Sequence, residues 1–313
     1  MALLLQYTLI YASVLMLVAL GGCFSEHSGV INLGLEGTMV MGALGGALVM
    51  RNFANLPAAL MILAVILGSV IFGAVYSLLL AVAAINFKAD QTLIGTAMNL
   101  LGTAAATVFV KAINMAENVN NVSSAIQYID QKKAFSLLKI GKFELSWFMV
   151  LAVVILVAAH VVLYKTKFGL RLMACGEHPQ AADSAGINVF KMRYAGVLIS
   201  GVLGGLGGIV YITAGVSEWK FENGVAGFGF LALAVMIFGQ WKPKLIALSA
   251  LLFGLFRALS NVYSGFDFLS SLHLPGAIYN MLPYIISLVV LALFSKNSRA
   301  PKAEGIPYDK AQR

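Results

Sequence analysis

Long apolar stretches separated by short polar links dominate the chain. A transmembrane helix needs about 20 mostly apolar residues, and windows of that length recur almost to the C-terminus. Many glycines lie inside these windows at the small-xxx-small spacing that allows two helices to approach closely. The pattern predicts about nine spans, within a range of eight to ten. They cover residues 3–22, 29–50, 56–85, 91–110, 145–164, 194–217, 223–241, 245–266 and 274–295.

Two polar segments interrupt this pattern. Residues 112–144 are predicted to lie along the membrane surface or to form a small cap. Residues 165–193 are rich in Lys and Arg, and within them Pro179 suits the first position of a short helix that Gly186 can end. Two interpretations of residues 165–193 remain open. The short helix docks a partner, or the segment is an ordinary basic loop that only fixes orientation.

The fold class that follows is an all-α polytopic membrane protein with Gly-rich helix packing. Residues 1–295 form one transmembrane domain, and we expect the polar tail over residues 296–313 to be flexible. The window 56–85 is longer than a bilayer requires. It is predicted to be tilted, or broken near Gly68 or Gly73.

Composition and charge agree with a membrane protein. The chain is 60% hydrophobic and only 11% charged, whereas soluble domains are typically about 25% charged. The net charge of +8 gathers in loops and in the tail, so the lipid bilayer is the expected partner and no nucleic-acid surface is predicted. If residues 165–193 are cytoplasmic, 13 of the 21 Lys and Arg residues lie on that side. The N-terminus is then outside and the C-terminus cytoplasmic.

Polar residues inside the spans are costly and are therefore candidates for function. Asn32 and Glu36 are four residues apart, so we expect them to share a helix face that contacts a polar solute. Asn99 is a third candidate for the substrate pathway. The structural alternatives are that Glu36 pairs with a neighbouring helix and that Asn99 forms a helix-to-helix hydrogen bond. Arg257 is expected to extend towards the membrane surface.

Motifs for covalent chemistry are missing from the sequence. It contains no P-loop, dinucleotide fingerprint, H-E-x-x-H motif or nucleophile elbow. Its two cysteines lack the spacing of a metal site. We therefore expect a transport protein rather than an enzyme, with no catalytic residue, no metal and no cofactor bound by this chain. Uphill transport would need a gradient or a partner protein.

Three stretches resemble a known family. They are residues 29–37, residues 176–182 leading to Ala185-Gly186-Ile187, and residues 224–239 followed by Lys242-Pro243. Together they are similar to the permease subunits of bacterial ABC importers for branched-chain amino acids, ribose and other simple sugars, and nucleosides. The sequence of residues 32–37 is most similar to that of the nucleoside and simple-sugar permeases.

The resemblance implies a function and a set of partners. The chain would form the pathway for a small polar solute in the bacterial cytoplasmic (inner) membrane. Nucleosides are the first expectation for this solute and simple sugars the second. A cytoplasmic ATP-binding subunit, which holds the ATP and magnesium, would grip a coupling helix. A second permease chain, identical or paralogous, and an extracytoplasmic solute-binding protein or lipoprotein complete the set. Residues implied in ATPase coupling are Gly176, Glu177, His178, Pro179, Ala182 and Gly186.

Two other classes of protein remain as alternatives. An ion-coupled secondary transporter acting without an ATPase would usually show several intramembrane carboxylates, and Glu36 is the one strong candidate. A membrane scaffold would fit the glycine packing. It would leave the polar residues 29–37 and the short helix near Pro179 without a role.

Overall fold

The computed structural model describes residues 2–127, 135–140, 143–213, 218–266, 275–294 and 300–310. Within these ranges the chain is mostly helical. The helices are α1 (Ala2–His27), α2 (Leu35–Asn52), α3 (Ala58–Ala81), α4 (Gln91–Glu117), α5 (Trp147–Lys165), α6 (Lys167–Glu177), α7 (Pro179–Ser184), α8 (Val189–Thr213), α9 (Phe228–Phe238), α10 (Pro243–Val262) and α11 (Gly276–Phe294).

Seven stretches of the described chain are long and apolar enough to cross a membrane. They are Ala2–His27, Ala58–Asn86, Gln91–Glu117, Trp147–Lys165, Val189–Thr213, Phe221–Phe238 and Pro243–Val262. Helices α2 and α11 add 18 and 19 residues. Each predicted window therefore overlaps a helix, which confirms a multi-pass membrane protein. The count of about nine crossings remains a prediction.

The predicted cap contains short strands, which an all-α fold did not anticipate. Strand β1 (Ala125–Gln127) pairs antiparallel with β4 (Glu218–Lys220), so that Ile126 lies opposite Trp219. Strands β2 (Ser136–Ile140) and β3 (Phe143–Ser146) form a second antiparallel pair. The rest of the predicted cap, residues 128–134 and 141–142, lies outside the described residues. We call this end of the bundle the strand end.

The end of α1 and the course of α3 refine the sequence-based expectation. Helix α1 was expected to end near residue 22, but it continues to His27, and Cys23 and Glu26 in its last turns are buried. Packing against neighbouring helices shields these turns, so the hydropathy pattern alone ended the helix too early. Helix α3 runs without a break through Gly68 and Gly73 and ends in a π-helical turn, Val82–Asn86.

Helices α1 and α8 form the centre of the bundle. Helix α1 packs along α8 and α10, and α8 packs also against α2 and α3. Residues 14–20 of α1 are fully shielded from solvent and lipid except for Met16. A helix that is apolar on all sides and buried in this way is typical of the middle of a membrane bundle.

Glycines allow α8 to approach its neighbours. A Cβ atom at Gly42 would collide with the backbone of Gly205, and one at Gly208 would collide with the carbonyl of Met39. A Cβ atom at Gly73 would collide with the carbonyl of Gly201. These contacts confirm the close packing predicted from the glycine spacing.

The substitution Gly42→Ala tests this packing. Its methyl group must displace the backbone of Gly205, so we expect a loss of about 1–3 kcal/mol in the free energy of unfolding. The measurement is the thermal unfolding midpoint of the protein purified in detergent. Gly265→Ala is the matched control, because no atom of the described residues lies within 4 Å of a Cβ atom there. Equal midpoints for the two variants would contradict the assigned packing.

Candidate functional site

The chain between α1 and α2 is an irregular segment, residues 28–34. Gly29 has a φ of +92°, a conformation that suits glycine, and it reverses the chain after α1. Two serine hydroxyls hydrogen-bond to backbone carbonyls in and beside this segment. The Ser25 hydroxyl donates to the Val30 carbonyl at 2.7 Å, and the Ser28 hydroxyl donates to the Ser25 carbonyl at 2.6 Å. Irregular backbone at membrane depth is tolerated where protein groups satisfy it in this way.

Asn32 and Asn99 hold this segment from two sides. The Asn32 amide donates to the Ser200 hydroxyl at 2.9 Å, and its oxygen accepts from the Gly34 N–H at 3.0 Å. The Asn99 amide donates to the Leu33 carbonyl at 2.8 Å, and its oxygen accepts from the Gly37 N–H at 2.9 Å. Asn32 precedes α2, so the prediction that it shares a helix face with Glu36 is wrong.

Glu36 lies in the first turn of α2 and connects it to α9. Its two carboxylate oxygens accept the N–H of Gly227 at 2.8 Å and the N–H of Gly229 at 2.7 Å. Gly227 has a φ of +78° and immediately precedes α9. A carboxylate at a helix N-terminus satisfies free N–H groups and interacts favourably with the helix dipole.

The three predicted pathway residues therefore belong to one internal network. Asn32 is fully buried, and the exposed fractions of Asn99 and Glu36 are 8% and 9%. Every hydrogen bond described above joins two parts of the chain, as in the structural alternatives for Glu36 and Asn99. Contact of these residues with a solute remains a prediction.

Sequence reasoning missed two partners of the network. The Gln91 side-chain oxygen accepts the Ile31 N–H at 2.7 Å, and Ser200 is the acceptor for Asn32. Both are polar residues in apolar helices, and this polarity is the feature by which the sequence could have indicated them. Their partners are 60 and 168 residues away in the chain, so only the packing of the helices brings them together.

Arg257 turns into the bundle rather than towards the membrane surface. Its guanidinium carbon lies 5.4 Å from the ring centroid of Phe228, the first residue of α9. No ion pair of Arg257 forms within the described residues, and its Nε is buried without a hydrogen-bond partner. A charged side chain within a transmembrane helix is costly, and a cation–π contact offsets about 0.5–2 kcal/mol of such a cost.

The short helix predicted near Pro179 is present as α7. Pro179 is its first residue. Gly186 has a φ of +81°, and the Ile187 N–H donates to the Ala182 carbonyl at 3.0 Å, which closes the end of the helix as predicted. Pro179 and Ala182 are buried against the chain itself, whereas Glu177 and His178 are exposed. Gln180, Ala181 and Ser184 of α7 are exposed as well.

Gly176 fixes this segment to the core. A side chain at Gly176 would collide with the carbonyl of His27 at the end of α1. Its own carbonyl accepts the Ala303 N–H at 2.8 Å. Of the residues predicted to couple to the ATPase, Gly176 therefore lies directly against the end of α1. We call this side of the protein the tail end.

The tail was expected to be flexible, but residues 300–310 are packed. Tyr308 is 4% exposed and lies in a cluster with Cys175, Ala182 and Val189. Asp309 forms an ion pair with Lys88 at 2.8 Å. The tail has few long apolar residues, so its packing through one tyrosine was not predictable from its composition. The remaining residues of the tail, 296–299 and 311–313, lie outside the described residues.

One carboxyl group of the tail has an unusual environment. Glu304 lies beside the carboxyl group of Glu26, and burial raises the pKa of Glu304 from 4.5 to about 7. Burial disfavours the charged form of a carboxyl group. The docked tail therefore favours protonated Glu304.

Comparisons with known proteins agree with these features. The sequence family described as the branched-chain amino acid transport system permease component matches residues 4–291. The chain is 40% identical over 307 residues to a nucleoside ABC transporter permease protein of Lactococcus lactis, covering 97% of this chain and 96% of the relative. It is 39% identical over 309 residues to a guanosine ABC transporter permease protein of Bacillus subtilis, covering 98% and 96%. A putative glucose ABC transporter permease protein of Haloferax volcanii is 32% identical over 258 residues, covering 82% and 76%.

Substitution of Glu36 tests its role at the start of α9. Glu36→Ala leaves the N–H groups of Gly227 and Gly229 without acceptors, which costs about 1–3 kcal/mol for each buried group. Glu36→Gln keeps one oxygen acceptor and should lose less stability than Glu36→Ala. The thermal unfolding midpoint in detergent measures both. Glu117→Ala is the control, because Glu117 is 71% exposed in its ion pair with Arg51 and exposed pairs contribute little. If Glu36→Ala were no less stable than Glu117→Ala, the assigned role would be wrong.

Docking of the tail should depend on pH. Since the pKa of Glu304 is about 7 in the docked tail and 4.5 otherwise, docking weakens as pH rises from about 4.5 to 7 and stays weakened above. A spin label at Lys310→Cys should be more mobile at pH 8 than at pH 5. Native Cys23 and Cys175 are buried and should not react. Glu304→Gln should remove the difference. A label with equal mobility at both pH values would refute this prediction.

Proposed function

Because the chain belongs to the permease component family of branched-chain amino acid transport systems, we propose that it forms the membrane pathway of an ATP-binding cassette importer for nucleosides. The observation that carries this proposal is the identity of 39–40% over nearly the full length of two relatives named for nucleoside and guanosine transport. Simple sugars come second, because a relative named for glucose is less similar.

The partners follow from this role. An ATP-binding subunit would supply the energy, since the chain carries no P-loop. A solute-binding protein would deliver the nucleoside to the strand end. A second permease chain, identical or paralogous, would complete the pathway, because paired subunits need only matching faces. The tail end would be cytoplasmic, with the N-terminus outside and about nine helices crossing the bilayer.

Coupling to the ATPase would occur through α7. Its exposed side chains, Gln180, Ala181 and Ser184, would contact the ATP-binding subunit. Its buried side, Pro179 and Ala182, would transmit the movement to the permease. Gly176 would carry the displacement to α1, since its backbone lies against the His27 carbonyl.

Alternating access would then involve the joint between α2 and α9. Glu36 holds the N-terminus of α9 through two hydrogen bonds, and glycine contacts let α2 slide along α8. Movement of α1 would be transmitted to α9 through a hydrogen bond. The indole N–H of Trp241, just after α9, donates to the Glu26 carboxylate of α1 at 2.5 Å. Glu36, Asn32 and Asn99 would shape the pathway by holding the broken backbone at its side.

The test is purification of the tagged chain from its native membrane, followed by reconstitution with the proteins that accompany it. We expect an ATP-binding subunit to co-purify and its ATP hydrolysis to be stimulated by nucleosides more than by glucose. Ala181→Arg should abolish the stimulation while the protein still inserts and folds, because this residue is exposed. Ala116→Arg is the matched control on an exposed alanine near the strand end and should behave like the unmodified protein.

Two outcomes would contradict these proposals separately. A chain that purifies alone, with uptake that stops when the proton or sodium gradient is dissipated, would indicate an ion-coupled transporter. Normal nucleoside stimulation in Ala181→Arg would leave the importer in place but would show that α7 is not the coupling contact.

A further inference from the structure

Aromatic side chains from several helices meet where α9 begins. Phe228 is fully buried at the centre, with ring centroids of Tyr211 at 4.5 Å and Tyr11 at 5.5 Å. Trp219 stands edge-on to Tyr211 at 5.3 Å. Tyr284 lies alongside, and its hydroxyl donates to the Ala226 carbonyl at 2.7 Å. We call these five residues, together with Arg257, the aromatic cluster.

The aromatic cluster is not a dry apolar core. The Tyr284 hydroxyl would lie 3.2 Å from a Cβ atom at Gly227, whose N–H donates to Glu36. Tyr284 and Glu36 therefore approach the same turn, and both Tyr211 and Tyr284 are within electrostatic range of Arg257 and Glu36. Tyr211, Tyr284 and Arg257 are partly exposed. The buried Nε of Arg257 has no hydrogen-bond partner in the described chain. A partly exposed guanidinium beside aromatic rings at membrane depth is typical of a solute pathway rather than of packing.

Polar groups adjoin the cluster at Gly224. The Trp219 indole N–H donates to the Gly224 carbonyl at 3.0 Å. A Cβ atom at Gly224 would lie 3.5 Å from the Thr103 hydroxyl and 3.8 Å from a Glu36 carboxylate oxygen. The aromatic rings therefore border a hydroxyl, a carboxylate and a backbone carbonyl.

We propose that the aromatic cluster is a subsite that binds the base of a nucleoside, with a preference for 6-oxopurines, during passage through the permease. This rests on the proposed function and names its solute site. Bases stack on aromatic side chains regardless of sequence. A guanidinium fork pairs with the O6 and N7 acceptors of guanine, and this pairing excludes the adenine amino group. The Thr103 and Tyr284 hydroxyls already donate to the carbonyls of Asn99 and Ala226, so each would accept a hydrogen bond from a ribose hydroxyl.

The experiment measures binding of tritiated guanosine to the purified permease complex without its solute-binding protein. Competition with 7-deazaguanosine, which lacks the N7 acceptor, should show about a tenfold preference for guanosine in the unmodified protein. Arg257→Lys keeps the positive charge but loses the fork. It should weaken guanosine binding about tenfold and remove the preference.

A second variant tests stacking separately from the fork. Tyr211→Leu should weaken both ligands about tenfold and leave their ratio unchanged, because a base of either kind stacks on the ring. Tyr211→Trp keeps an aromatic face and should retain binding. Tyr164→Leu is the matched control, since the contact of Tyr164 with His160 lies outside the cluster. It should bind both ligands normally.

Several results would overturn the proposal. They are equal binding of the two ligands by the unmodified protein, a retained preference in Arg257→Lys, normal binding by Tyr211→Leu, displacement of guanosine by glucose at equal concentration, and no guanosine binding at all. If guanosine still stimulates ATP hydrolysis in the complete complex, only the proposed subsite is refuted. If no ATP-binding subunit accompanies the chain, the proposed importer function is refuted instead.

Discussion

Unpaired backbone groups at membrane depth constrain this structure more than any other feature. The chain breaks helical geometry at residues 28–34 and again just before α9, and each free N–H or carbonyl there would cost several kcal/mol in hydrocarbon. Glu36 joins the two breaks, because it begins the helix after the first and accepts N–H groups at the second. Asn99, which lies on α4, hydrogen-bonds to the backbone at the first break. The joint is therefore polar, buried and fully shared between distant parts of the chain.

Glycine packing complements this joint. Contacts such as Gly42 against Gly205 are held by dispersion forces over smooth backbone surfaces, whereas Glu36 forms directional hydrogen bonds. A transporter needs both kinds of contact. In the proposed mechanism, smooth seams would let helices shift, and the directional joint would keep the start of α9 in register with α2.

The tail end shows how a soluble partner can act on such a bundle. Helix α7 is too short to be stable alone, so its position depends on packing against α6, α8 and the tail. Tyr308 and Ala182 of α7 share a cluster with Cys175 of α6, and Gly176 of α6 lies against the end of α1. In the proposed coupling, a displacement of α7 would therefore pass through α6 to α1, a helix that is buried along most of its length.

The hydropathy pattern by itself determined the fold class and the approximate position of every long helix, because a bilayer sets the length of an apolar span. Local chemistry determined α7, since Pro179 and Gly186 act on their own backbone. Glycine spacing determined the close seams, since side-chain volume is a local property. The sequence also carried enough resemblance across its length to indicate the family.

Only the tertiary structure decided what the polar residues do. Glu36, Asn32 and Asn99 stood out in the sequence, but their partners lie 2 to 193 residues away. Arg257 was misjudged because its partner, Phe228, belongs to another helix, and the packing of the tail was missed because Tyr308 contacts residues that are distant in the chain. Hydrogen bonds and ring contacts between helices depend on which faces meet. No periodicity along one segment contains that information.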